Sequence, residues 1–222
     1  MTKRKIEYWM IPPDQDAEFT ADMENVLETY AEAYDPEQPV QLLKETKVPI
    51  AATTKHAKRV DDEYERNGAA SIFMFAEPLS GFRQATARER RTKVDWAIEA
   101  AQLLDTCYAA CAKVTLVCDN LNTHTKGAFY TAFPPERARG YIKRINFCHT
   151  PKHGSWLNIA ECELSCMTSQ CRGGRRIGEL PLLQSEIGSD KTNAKQRGVD
   201  WQFKIDDART KRKRLYPKIS RG

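Results

Sequence analysis

Val114-Thr115-Leu116-Val117-Cys118-Asp119-Asn120 is the stretch whose reading decides the fold. A short apolar run closed by a polar turn is the pattern of a strand buried on both faces. The stretch Ser155-Trp156-Leu157-Asn158-Ile159-Ala160-Glu161 reads as the opening of a helix. Leu157, Ala160, Leu164, Thr168 and Cys171 make one helical stripe, and Glu161 falls inside it. Ligand sites in open α/β sheets gather at the carboxyl ends of strands, where Asp119 is expected. A carboxylate on an apolar stripe costs desolvation energy unless a partner compensates it. Two readings stand for each acid. Asp119 is either a turn aspartate or a ligand, and Glu161 either an internal ion-pair partner or a ligand. Together, an inward acid from a strand end and one from a helix suit a hard cation such as magnesium.

Working outward, Ala17 to Tyr34 has Phe19, Met23, Val26, Leu27 and Tyr30 at helical spacing, with Pro36 beyond its end. Val40 to Leu43 reads as a short strand remnant, and the polar stretch from Lys44 to Asn67 as a loop closed by an Asn67-Gly68 turn. Ala69 to Phe75 and Phe82 to Ala87 flank the Pro78–Gly81 turn and predict a hairpin. Thr92 is an N-cap candidate for a helix running to Leu104. Thr125 to Phe133 is a short helix stopped by Pro134-Pro135, and Ile145 to Cys148 a short strand. Leu157 to Cys171 is a helix ended by Gly173-Gly174, with weaker helices at Gly178–Ile187 and Asp206–Leu215. The fold class expected is α/β, a mixed sheet flanked by helices.

Composition bounds the function. The 222 residues are 41% hydrophobic and 29% charged, which excludes a disordered chain. No apolar run approaches the roughly 20 residues a bilayer requires, so no membrane partner is expected. The basic N-terminus is followed by Glu7 and Pro12-Pro13 where a signal peptide would be apolar, which predicts an intracellular protein. Net charge is +5, and eight Lys or Arg against two Asp lie between Lys204 and Gly222. That segment is either a solvated tail or an arm that contacts phosphates through Lys211, Arg212, Lys213 and Arg214. Seven cysteines without a Cys-x2-Cys pair fit neither a disulfide framework nor a common zinc spacing. They read as small hydrophobic residues, with zinc at Cys148, His149 and His153 the weaker alternative.

With these residues in view, the words Val117-Cys118-Asp119-Asn120-Leu121-Asn122-Thr123-His124 and Thr150-Pro151-Lys152-His153-Gly154 running on to Glu161 resemble insertion-sequence transposases of the mariner-like superfamily. Tyr64-Glu65-Arg66-Asn67-Gly68, Asp200-Trp201-Gln202-Phe203 and Leu215-Tyr216-Pro217 support the resemblance, which spans almost the whole chain. It implies an RNase H-like fold and a metal triad of two aspartates and a glutamate. Asp119 takes the second-aspartate place and Glu161 the glutamate place, with Mg2+ or Mn2+ as cofactor. DNA is the implied partner, contacted through Asn122, His124, Lys152, His153 and Asn158, and a second copy of the chain is implied as a dimer partner. The implied activity is metal-dependent DNA strand cleavage and strand transfer.

Two departures qualify it. No helix-turn-helix precedes Ala17, so specific recognition of element ends is expected to be absent. Tyr34-Asp35-Pro36-Glu37-Gln38 runs directly into Pro39-Val40-Gln41-Leu42-Leu43, where relatives carry an apolar strand ending in Asp-Glu. The first strand, on the order of 5–8 residues, is therefore expected to be missing. Asp35 is the candidate for the first triad acid, although it fits better in the tract before the strand, and Asp61 and Asp62 in the polar loop are poorer candidates still. The alternative function is an inactive remnant with weak non-specific DNA binding or subunit association. The expected organisation is a linker and helix over residues 1–38, the catalytic domain over 39–190 and a basic extension over 191–222.

Overall fold

In chain order the elements are α1 (Ala17–Ala31), β1 (Val40–Pro49), β2 (Ala69–Glu77), β3 (Phe82–Arg88), α2 (Lys93–Thr106), β4 (Val114–Cys118), α3 (Lys126–Ala132), α4 (Pro135–Arg144), β5 (Ile145–His149), α5 (Ala160–Met167), α6 (Leu180–Glu186) and α7 (Ile205–Lys211). The computed structural model describes residues 16–49, 69–169, 177, 179–188, 193 and 198–218. The strands form one sheet in the order β3-β2-β1-β4-β5. β1, β2 and β3 pair antiparallel, while β1–β4 and β4–β5 are parallel. This is the mixed sheet flanked by helices that the sequence predicts.

One expectation is corrected outright. The central place in the sheet is filled, and β1 fills it. The remnant foreseen at Val40–Leu43 continues to Pro49, so Lys44 to Pro49 is strand and not loop. The Asn67-Gly68 turn lies outside the described residues. The strand escapes an apolar-pattern reading because Lys44, Glu45, Thr46 and Lys47 follow Leu43. Central strands are usually near-continuous apolar runs. Here Lys44 and Glu45 find ionic partners at the sheet edge instead.

Pleating divides the core. Successive side chains of a strand point to opposite faces. Leu42 and Val117 pack on one face with Phe19, Met23, Val26 and Leu27 of α1, and with Leu157 and Ala160. Leu43, Phe73, Phe75 and Cys118 pack on the other with Trp96 and Leu103 of α2 and Phe129 of α3. Ile72 and Met74 of β2 meet Leu164 of α5 and Leu183 of α6. Ala208 and Leu215 from the C-terminal segment are fully buried in the α1 face.

The helix ends have local causes. Asp16 caps α1, its carboxylate accepting from Phe19 N at 3.0 Å. Helix α1 stops at Ala31, short of the expected Tyr34, because Glu32 is already extended (φ −59°, ψ 141°). Thr92 caps α2 as foreseen, and Asp95 returns the bond to its backbone as a capping box. The sequence reading missed α4. Pro134-Pro135 ends α3, but Pro135 also occupies the first turn of the next helix, where a missing N–H costs nothing. The helix expected over Leu157–Cys171 is a 3-10 turn at Ser155–Leu157 followed by α5.

The cysteines split. Cys118 and Cys148 are buried, as small hydrophobic residues would be, whereas Cys107, Cys162 and Cys166 are exposed.

If β1 is the central strand, Leu42→Ala leaves a cavity on the α1 face. Urea denaturation should then show a loss of about 2–5 kcal/mol. A loss below about 0.5 kcal/mol would place this segment outside the core.

Candidate functional site

β1 and β4 run parallel with Leu43 opposite Cys118. The next residue of each strand is Lys44 and Asp119, so both leave the carboxyl edge of the sheet together. In-register partners share a face. Lys44 and Asp119 therefore follow Leu42 and Val117 onto the face covered by α1 and α5. Glu161 enters from above, in the first turn of α5. An acid there is favoured by the positive end of the helix dipole.

The three side chains meet. The Lys44 Nζ lies 2.8 Å from Asp119 Oδ2 and 2.6 Å from Glu161 Oε1. Their side chains are 18%, 17% and 21% exposed, in the same order. Asn158 holds the arrangement from the side. Its amide donates to Leu43 O at 2.8 Å and to Asp119 Oδ1 at 3.3 Å, and its carbonyl oxygen accepts from Ala160 N at 3.1 Å. One side chain thus ties the end of β1, the acid after β4 and the start of α5.

The opposite face of the edge carries a second polar cluster. Glu45, one residue on from Lys44, turns to the α2 side and is buried. Its carboxylate lies 3.1 Å from His124 Nε2 and 3.4 Å from Arg91 Nε. His124 Nδ1 sits 2.8 Å from Asp119 O, and Trp96 stacks on the imidazole at a centroid distance of 5.4 Å. His149 reaches His124 O at 3.0 Å. Asp119 is therefore fixed by its side chain on one face and by its backbone on the other.

Of the residues read from the sequence as acids of the site, the structure brings Asp119 and Glu161 together and leaves Asp35 out. Asp35 precedes the amino end of β1, is exposed, and caps its own turn by accepting from Glu37 N at 2.8 Å. The place beside Asp119 on the central strand belongs to Lys44. Sequence reasoning missed Lys44 because the strand that carries it was read as a loop.

The predicted DNA contacts divide by exposure. Asn122, Lys152 and His153 are exposed in the loops beyond the carboxyl ends of β4 and β5. His124 and Asn158 are each 1% exposed. Their expected role as DNA contacts is corrected, because both are buried and their hydrogen bonds go to Asp119 and its neighbours Glu45, Leu43 and Ala160. In the C-terminal segment, Lys211 pairs with Asp207 at 2.8 Å and the Arg212 guanidinium lies 5.6 Å from the Trp156 ring centroid. Arg209 and Tyr216 clamp Glu24 of α1 at 2.8–3.0 Å. Their contacts hold Glu24 below its ordinary carboxylate range, the Arg209 hydrogen bond most of all. This segment is docked; of the predicted arm Lys211, Lys213 and Arg214 are exposed, Lys211 being engaged by Asp207.

The donor set does not fit a divalent cation as arranged. Magnesium takes about six oxygen ligands at close range. The site offers two carboxylates, already bridged by an ammonium. No cluster of three or more His, Cys, Asp or Glu residues suited to a metal occurs among the described residues.

A family model described as DDE superfamily endonuclease matches residues 37–184. The chain belongs to this family. No curated protein matches it. Among solved structures, the DDE endonuclease chain resembles the mariner Mos1 paired-end complex with Mg at TM-score 0.55 and 11% identity, covering 98% of this chain and 68% of that one. The Mos1 paired-end complex with Mn gives 0.54 at 11% identity, over 89% and 61%. The pre-cleavage Mos1 transpososome gives 0.50 at 8%, over 88% and 64%. At such identities the likeness establishes the shared RNase H-like fold. This chain spans about two thirds of the length of those proteins. No helix among the described residues is long and apolar enough to cross a membrane.

Two expected outcomes test this geometry. Asn158→Ala leaves Leu43 O and Asp119 Oδ1 without their donor and should cost about 1–3 kcal/mol by chemical denaturation. Lys44 supplies a pH signature. Burial pushes its ammonium down, but hydrogen bonds and charges from Asp119 and Glu161 outweigh this and raise it above the ordinary lysine value of 10.5. A raised pKa in the folded state gives stability that is whole below the unfolded value and fades as pH rises through the folded one. The stability gap between wild type and Lys44→Met should stay flat from pH 7 to about 10 and narrow above that. A gap that narrows toward acid, with none in alkali, would contradict the ion pair.

Proposed function

We propose that this chain is the RNase H-like domain of a mariner-like insertion-sequence transposase that engages DNA at the carboxyl edge of its sheet without cutting it. The observation that carries the reading is the Lys44 ammonium seated between Asp119 and Glu161. Metal-dependent strand cleavage needs cations that activate one oxygen and stabilise another. A side chain already bridges the two acids that would hold them. Support for DNA as partner comes from family membership, the exposed Asn122, Lys152 and His153 at the same edge, and the exposed pair Lys213 and Arg214. In this reading residues 39–190 form the nuclease-fold domain. Residues 1–38 and 191–222 flank it, with α1 and α7 packed back onto its sheet. The protein acts inside the cell, where DNA is, and a second copy of the chain or a related subunit is its other partner.

A second reading has one observation in its favour. Asp119 and Glu161 do converge, from the strand end and helix foreseen for a metal pair. If Lys44 swings away when Mg2+ or Mn2+ arrives, the chain would cut DNA and join strands.

Nicking of supercoiled plasmid with Mn2+ separates the two. Under the non-cutting reading, wild type, Asp119→Ala and Glu161→Ala all stay at the same background. Nicking by wild type that falls by orders of magnitude in both variants would establish the second reading. DNA affinity should fall linearly with log salt, and Lys213→Ala with Arg214→Ala should flatten the slope by up to about 2. An unchanged slope would remove this end of the chain from the DNA interface.

A further inference from the structure

The two acids of the site do not repel one another into solvent. They face each other across a single ammonium, each within 2.8 Å of it, with Asn158 fixing the second oxygen of Asp119. This is the arrangement expected around a cation, and a cation is present as a side chain. The charge on the three groups sums to minus one. A divalent ion arriving there meets a fixed positive charge and two carboxylates with oxygens already engaged. Lys44 and Asp119 each follow directly on the last register pair, Leu43 with Cys118, so the two side chains leave the sheet edge side by side.

We infer that Lys44 is a tethered counter-ion that takes the place of a divalent cation in this chain, and that it alone keeps the centre from binding Mg2+ or Mn2+. The inference rests on the non-cutting reading above and adds its physical cause. Lys44→Asp replaces the ammonium with a third carboxylate and vacates the volume of the lysine stem. The net charge of the three groups moves from minus one to minus three. Hard cations prefer such oxygen-only sets. The rest of the centre needs no rebuilding, since Asn158 and His124, the latter held by Glu45, position Asp119 through bonds that do not involve the Lys44 side chain.

The test is Mn2+ titration of the purified full chain, followed by electron paramagnetic resonance of free Mn2+ and by calorimetry, with no DNA present. Wild type should show no saturable site at millimolar Mn2+. Lys44→Asp should bind one or two ions at least tenfold more tightly than wild type, and adding Asp119→Asn should abolish that binding. Mn2+ should raise the melting temperature of Lys44→Asp and leave that of wild type unmoved. Should Lys44→Asp fold poorly, Lys44→Gln decides. It removes the positive charge without adding a negative one, and it too should bind Mn2+ more tightly than wild type.

Saturable binding by wild type that Asp119→Asn removes would overturn the inference, because Lys44 would then be displaced easily. Wild-type-level binding in folded Lys44→Asp or Lys44→Gln would overturn it as well, by showing that something other than Lys44 excludes the ion. Either failure is read from metal titration alone. Failure of the non-cutting reading is read from plasmid nicking by wild type, so the two are distinguishable.

Discussion

The parallel register between β1 and β4 is the constraint on which the rest of the site depends. Neighbouring strands lie about 4.8 Å apart, and aligned residues point to the same face. Pairing Leu43 with Cys118 therefore delivers Lys44 and Asp119 to one side of the sheet edge and Glu45 to the other. A slip of one residue would exchange the two sets. Lys44 would then be driven toward Trp96 and Phe129, and Leu43 would lose its apolar neighbours. The hydrophobic pattern of β1 and the charge pattern at its end thus enforce the same register.

Polar groups close this end of the sheet on both faces. On the α5 side, Lys44 balances Asp119 and Glu161. On the α2 side, Glu45 is held by His124 and Arg91. The closure is costly in desolvation and repaid by pairing, so loss of any member leaves a charge without its partner. It also fixes the Asp119 loop from two sides. The backbone of that loop is gripped through His124 and its carboxylate through Asn158, by residues whose own positions come from different elements.

How much of this was legible in the sequence depended on how far each residue's environment is local. The hairpin of β2 and β3, the capped helix α2 and the buried strand β4 were readable because their patterns are periodic and their boundaries carry turn or cap residues. Asp119 and Glu161 were readable as a converging pair, since a strand end and an apolar helix stripe both constrain where a carboxylate goes. Their partner was not. The choice for Glu161 between an internal ion pair and a metal was left open by the sequence, and the structure supplies the ion pair. Lys44 is polar within a central strand, and only a contact with residues far along the chain makes that tolerable. The α4 helix was missed for a different reason, because a proline that ends one helix can begin the next. Asn158 and His124 look like exposed loop polar residues until tertiary contacts bury them.

The placement of β1 has a consequence for how the molecule is made. β2 and β3 follow β1 closely and can zip onto one of its edges early, whereas the other edge is satisfied only by β4, which pairs Val40 with Thr115. Through synthesis and early folding the middle strand is thus an outer strand, with a row of open backbone donors and acceptors. Such edges recruit neighbouring chains unless they carry charge. Lys44, Glu45 and Lys47 supply that charge during the interval. Two of these residues, Lys44 and Glu45, are the same ones that lock the finished edge of the sheet.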